Sequence, residues 1–140
     1  MGFDDEHRIT PLSDDACWEL LEANDLARLA VSVANRPDIY PISYLSRDRK
    51  LYLRTSEGSK LLELAINSQV ALEVDRLDDD HAMSVVVHGR ARRLETEAEI
   101  EAVEQLPLHV RLPVASPVYV EITPDLVEGR AFDFTPESER

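Results

Sequence analysis

The segment Arg54-Thr55-Ser56-Glu57-Gly58-Ser59-Lys60 gathers side chains suited to holding a phosphate. Arg54 offers a planar fork of N–H donors, Ser59 a hydroxyl and Lys60 an ammonium. The segment also runs from a strand-like stretch through a glycine-containing loop into a helical one. A helix start presents free N–H groups and a partial positive charge, both of which favour an anion. A simpler arrangement uses the same residues: Ser59 caps the helix while Arg54 and Lys60 are solvated. Short patterns recur by chance, so the segment alone leaves both open.

The rest of the chain narrows the chemistry. With 15 basic against 28 acidic side chains and a net charge of −13, the overall field repels nucleic-acid backbones and anionic lipid heads. No nucleic-acid or membrane partner is expected, and an anionic ligand needs a local basic cluster working against that field. The four glycines, Gly2, Gly58, Gly89 and Gly129, form neither a Walker nor a dinucleotide fingerprint. His7, His81, His88 and His109 are scattered and Cys17 is the only cysteine, so no metal site is expected. The acidic run Asp75 to Asp80 lacks the glycine and terminal glutamate of a calcium loop and reads as a solvated turn. Ser84 and His88 read as strand side chains, not as a catalytic pair. Cys17 and Trp18 follow the helical spacing of Leu20 and Leu21, which assigns them to packing.

These residues need elements to position them. Residues 1–10 are polar and charged, read as a mobile arm with no apolar signal core. Ser13 caps a first helix, with Asp14 and Asp15 in its first turn, that ends near Asn24. Alternation at Leu29, Val31 and Val33 predicts a strand. A turn at Asn35-Arg36-Pro37-Asp38 leads to a second strand, Ile39 to Leu45, where Pro41 marks an edge, a bulge or a place where something other than a strand meets the backbone. A turn at Ser46 to Arg49 precedes a third strand, Lys50 to Arg54. A short helix from Ser59 follows, then strands at Gln69 to Asp75 and Met83 to Arg93. Thr96 and Glu99 form a capping box for a helix to about Leu106. Pro107 and Pro113 bracket a loop, and two strands, Val118 to Ile122 and Val127 to Phe134, are joined through Pro124. The fold class expected is α+β: a mainly antiparallel six- to seven-stranded split β-barrel with three short helices, one domain over 11–134 and a polar tail at 135–140. No stretch approaches the roughly 20 apolar residues of a membrane span, and a cytoplasmic location is expected.

Several motifs, in order, resemble the pyridoxamine 5′-phosphate oxidase-like superfamily of FMN-binding split barrels, in its short single-domain bacterial branch. They are Ala27-Arg28-Leu29-Ala30, Tyr40-Pro41-Ile42-Ser43-Tyr44, Leu51-Tyr52-Leu53-Arg54-Thr55, Gly58-Ser59-Lys60, Val70 to Asp75, Ser84 to Ala91 and Glu128-Gly129-Arg130. The resemblance implies FMN as cofactor, with Arg54, Thr55, Ser59 and Lys60 at its phosphate and Pro41, Ile42, Ser43 and Tyr44 along the isoalloxazine, where strand backbone can bond the ring's polar edge. It further implies a homodimer with the flavin between protomers, and an oxidoreductase acting on a small-molecule substrate. The alternatives are a non-catalytic flavin carrier or sensor, or a related barrel holding a deazaflavin coenzyme or heme. Tyr44 has a second reading, as a packed strand aromatic. Three positions depart from the family pattern: Ala27, Ser43 and Met83 stand where glycine, asparagine and tryptophan are common. The chain lacks the C-terminal segment with which pyridoxamine phosphate oxidases bind substrate, so vitamin B6 synthesis is not expected.

Overall fold

The computed structural model describes residues 8–56, 58–108, 114 and 116–136. Its elements are β1 (Ile9–Pro11), α1 (Asp14–Glu22), β2 (Leu26–Val33), β3 (Arg36–Arg47), β4 (Lys50–Ser56), α2 (Ser59–Ile66), β5 (Gln69–Leu77), β6 (His81–Arg93), α3 (Glu97–Glu104) and β7 (Pro117–Asp133). The sheet runs β1-β7-β4-β3-β2-β5-β6, and β6 pairs again with β7, which closes it into a barrel. Every described pairing is antiparallel. The expected fold class is the one observed.

Period-two patterning decides which face of each strand turns inward. On β4, Leu51, Leu53 and Thr55 are buried while Tyr52, Arg54 and Ser56 are less so. Leu29, Leu72, Val85, Val87, Val120 and Ile122 join them in one core. Helix α1 packs its buried Cys17, Trp18, Leu20 and Leu21 on this barrel. Burying a side chain of the Leu21 kind is worth about 1.5–3 kcal/mol, enough to dock a helix of this length that would not persist alone. Ser13 caps it, accepting from the Ala16 N–H at 3.2 Å.

Four boundaries differ from expectation. The first hairpin turns at Ala34 and Asn35, with φ of 50° and 64°, so Arg36, Pro37 and Asp38 already belong to β3. A two-residue turn with positive φ at both centres matches strand twist, and the second hairpin repeats it at Asp48 and Arg49. The two strands expected around Pro124 are one continuous β7. Pro124 sits where the β6–β7 register shifts, His88 facing Leu126 and Gly89 facing Pro124. Asp125 is the extra residue of this bulge, so the proline costs no ladder bond there. Finally, Ile9 and Thr10 are not part of a free arm: they pair with Phe132 and Ala131. Arg8 donates to the Thr135 carbonyl at 2.7 Å. Residues 1–7, 109–113 and 137–140 lie outside the described residues, and with them most of the arm, the loop before Pro113 and the tail's end. Among the described residues, no helix is long and apolar enough to cross a membrane.

Candidate functional site

The site is built where two strands part. β3 and β4 are paired from the Arg47–Lys50 end as far as Ser43 opposite Arg54. Beyond that point Thr55 and Ser56 pair only with Val118 and Pro117 of β7. Pro41 and Ile42 pair only with Arg28 and Ala27 of β2. Among the described residues, the β4-facing edge of β3 is therefore free of strand partners at Pro41, the edge position that a proline tolerates. α2 leaves from this fork, and Gly58 stands at its N-cap with no side-chain cap bond. A helix start carries N–H groups without intrahelical partners, and Gly58 has no side chain with which to meet them. Tyr40 ties the helix to β3 through its hydroxyl, which donates to Glu63 at 3.3 Å.

The predicted residues divide by face. Ile42, Tyr44 and Thr55 turn into the barrel. Tyr44 is fully buried and donates its hydroxyl to the Leu21 carbonyl at 2.6 Å. Burial first, and Asp25 second, push its pKa upward. Its side chain is thus a packed core group, and its backbone N–H donates to the Asp25 carbonyl at 3.0 Å, so the structure gives Tyr44 a packing role and not the expected place along a ring. Pro41 is exposed on the outer face. Ser43, itself buried, and Arg54 lie on that side of the sheet and sit directly opposite each other. Of the expected constellation, the described structure brings these two side chains together. Ser59 and Lys60 open α2, but their side chains lie outside the described structure.

Arg54 carries an unusual feature: its Nε is buried and finds no hydrogen-bond partner among the described residues. A buried donor on a cation is costly to leave unmet. Its neighbour on the other side is Tyr119 of β7, opposite it in register. Sequence reasoning missed Tyr119, whose only local signal was a strand position. The Tyr119 ring packs with Leu94 and Val103 under α3, and its hydroxyl donates to Glu104 Oε2 at 3.4 Å. Its pKa is raised, first by burial and then by Glu104, while Arg54 acts in the opposite direction, partly through a side-chain hydrogen bond. The row Ser43–Arg54–Tyr119 crosses three strands and ends at a helix.

Other chemically able groups are accounted for differently. The Cys17 thiol is buried and its pKa raised, by burial first and Asp14 second, which makes it an inert packing group. Trp18 packs in the core and receives the Arg49 guanidinium 5.5 Å from its ring centroid. Met83 packs against the barrel core. Arg28 bridges Glu73 at 2.8 Å and Asp75 at 2.9 Å across β2 and β5. A depression of about 550 Å³ opens between α2, the end of β6 and the start of α3, beside Leu64, Arg93 and Thr96. None of the described predicted residues lines it.

Comparison with known proteins bears on the family and the fold. A family model described as pyridoxamine 5′-phosphate oxidase matches residues 13–131. A Corynebacterium glutamicum structure superposes with a TM-score of 0.84 at 31% identity, covering 97% of this chain and 100% of that one. A FAD-binding protein from Mycobacterium smegmatis gives a TM-score of 0.76 at 36% identity, covering 89% and 99%. A FAD-binding protein from Mesorhizobium loti gives 0.78 at 26% identity, covering 88% and 97%. In sequence, a Rhizobium meliloti protein is 33% identical over 84 residues, 59% of this chain and 56% of that protein's length.

Proposed function

The chain belongs to the pyridoxamine 5′-phosphate oxidase family, and on that premise we propose that it binds a flavin nucleotide, FMN, at the β3–β4 fork and serves as an oxidoreductase for a small-molecule substrate. The observation that carries this reading is the buried Arg54 Nε, without a partner among the described residues, on the strand that leads into α2, whose N-cap is a glycine. A phosphate there would satisfy the guanidinium and the helix N–H groups together. Ser59 and Lys60, placed by sequence at the same helix start, would add a hydroxyl and an ammonium. The isoalloxazine would lie against the edge of β3 at Pro41, just beyond the last β4 pair at Ser43. A bound flavin supplies the hydride or electron chemistry; this chain supplies binding, orientation and electrostatics.

The phosphate chemistry suits FMN and the pyrophosphate of FAD alike, and the two FAD-binding relatives keep FAD as the competing ligand. The flavin is proposed to sit between two protomers. The outer face supports that arrangement: Ile39, Ala30, Ala71, His88 and Leu126 form one row across five strands. Ile39 is 65% exposed and Leu126 48%. This face includes Pro41 and Ser43, so a ligand at the fork would lie at its margin.

The test is the absorption spectrum of purified protein, reconstituted with FMN where it emerges colourless, followed by denaturation and identification of the released chromophore. Flavin bands and released FMN support the reading, and released FAD would reassign the nucleotide. A Soret band, a deazaflavin spectrum or no retained chromophore would overturn it. Reducing the bound flavin and offering electron acceptors then separates an oxidoreductase from a carrier or sensor, which would hold reduced flavin without turnover.

A further inference from the structure

Tyr119 occupies a position its packing does not fully explain. The ring fills space between β7 and α3 against Leu94 and Val103, a role phenylalanine would fill equally. The hydroxyl instead joins two charged groups from different elements. It donates to Glu104, the last residue of α3, at 3.4 Å, and Arg54 stands directly across the β4–β7 ladder from it. A phenol can accept one hydrogen bond while donating another. A guanidinium only donates and a carboxylate only accepts. With Arg54 as donor to the phenol, the order Arg54, Tyr119, Glu104 would let each bond run in the same direction, an arrangement in which hydrogen bonds polarise one another.

We propose that Tyr119, backed by Glu104, is a positioning residue that holds the Arg54 guanidinium ready for a flavin phosphate, so that α3 sets the site's preference for phosphorylated flavins. The proposal rests on the phosphate reading of the fork given above. A free arginine loses rotamer freedom when it grips a ligand, and one already held loses less. Glu104 also competes with the phosphate for the cation. It lies on the exposed end of α3, where solvent and salt weaken that competition, so the orienting effect prevails.

The experiment titrates FMN and riboflavin, which lacks the phosphate, against wild type, Tyr119→Phe, Glu104→Gln and Arg54→Ala, with thermal melting to confirm folding. Tyr119→Phe is expected to weaken FMN about fivefold to tenfold, the scale of one ordinary hydrogen bond, and to leave riboflavin within about twofold. Glu104→Gln, at an exposed position, should give a smaller loss of the same kind. It should add nothing in the Tyr119→Phe background, because the two act through one hydroxyl. It carries the same test if Tyr119→Phe does not fold. Unchanged FMN affinity in these variants, or an equal loss for both flavins, would overturn the proposal. Arg54→Ala separates the failures. Discrimination lost in Arg54→Ala but kept in Tyr119→Phe removes the positioning role alone, whereas discrimination kept in Arg54→Ala removes the phosphate reading and this role with it.

Discussion

Gly129 shows how closely single residues are fitted in this barrel. A Cβ at that position would stand 2.6 Å from Cys17 Sγ and 2.9 Å from Leu12 Cδ1. The glycine of the Glu128-Gly129-Arg130 motif is therefore explained by the approach of α1 to β7. Gly129→Ala should destabilise the protein by roughly 1–3 kcal/mol, the usual cost of overpacking. Cys17→Ala removes the sulfur from the contact, so Gly129→Ala should cost less in that background. Urea unfolding of the two single variants and the double variant checks this. Equal costs in both backgrounds would show that the thiol is not what holds the glycine in place. Gly89 is fixed more rigidly, since its added Cβ would meet the Thr123 carbonyl oxygen at 2.5 Å, a backbone atom that cannot turn aside.

Among the elements, the turn between β5 and β6 joins the end of β7 through His81. Its Nδ1 lies 2.6 Å from Asp80 and its Nε2 3.9 Å from Asp133. The His81 pKa is raised, chiefly by the hydrogen bond to Asp80, with the charges of Asp80, Asp133 and Asp78 adding to it. A raised folded value means the protonated form is favoured in the native state. The contribution is fully present below the unfolded value of about 6.5 and is lost as pH rises through the higher folded value. The melting-temperature advantage of wild type over His81→Gln should therefore be greatest below about pH 6.5 and shrink as pH rises through the higher folded value. An advantage that stays constant across that rise would contradict the assignment. The elements themselves were largely legible in sequence, because short hairpin turns and period-two alternation mark strands that are half inside a barrel. Pro124 hid the continuity of β7, since a proline reads as a break until the partner strand shows a bulge to receive it. The fork was legible in part: Pro41 signalled an edge, and Arg54 a cation at a strand end. The inward turn of the Tyr44 side chain depends on α1 presenting the Leu21 carbonyl, and the Arg54–Tyr119 pairing depends on the β4–β7 register. Neither is written in local sequence.

At the scale of the whole molecule, the acidic chain leaves a band on its outer face that begins and ends on the exposed apolar side chains Ile39 and Leu126. Covering that band with a second copy would remove it from water and enclose the fork. Ile39→Glu should then turn a dimer into a monomer in light scattering at micromolar concentration and weaken flavin retention with it. A wild-type protein that is monomeric with flavin bound would contradict the arrangement. The central claim, that the fork grips the phosphate of a flavin nucleotide, is tested most directly by titrating FMN and riboflavin against wild type, Arg54→Ala, Lys60→Ala and the double variant at fixed salt. A charge-assisted contact is worth about 1.5–3 kcal/mol, so each single change should weaken FMN roughly 10- to 150-fold. The double variant should fall short of the product, because both residues hold one group, and riboflavin should lose little. FMN affinity left nearly unchanged, or an equal loss for the two flavins, would contradict the account.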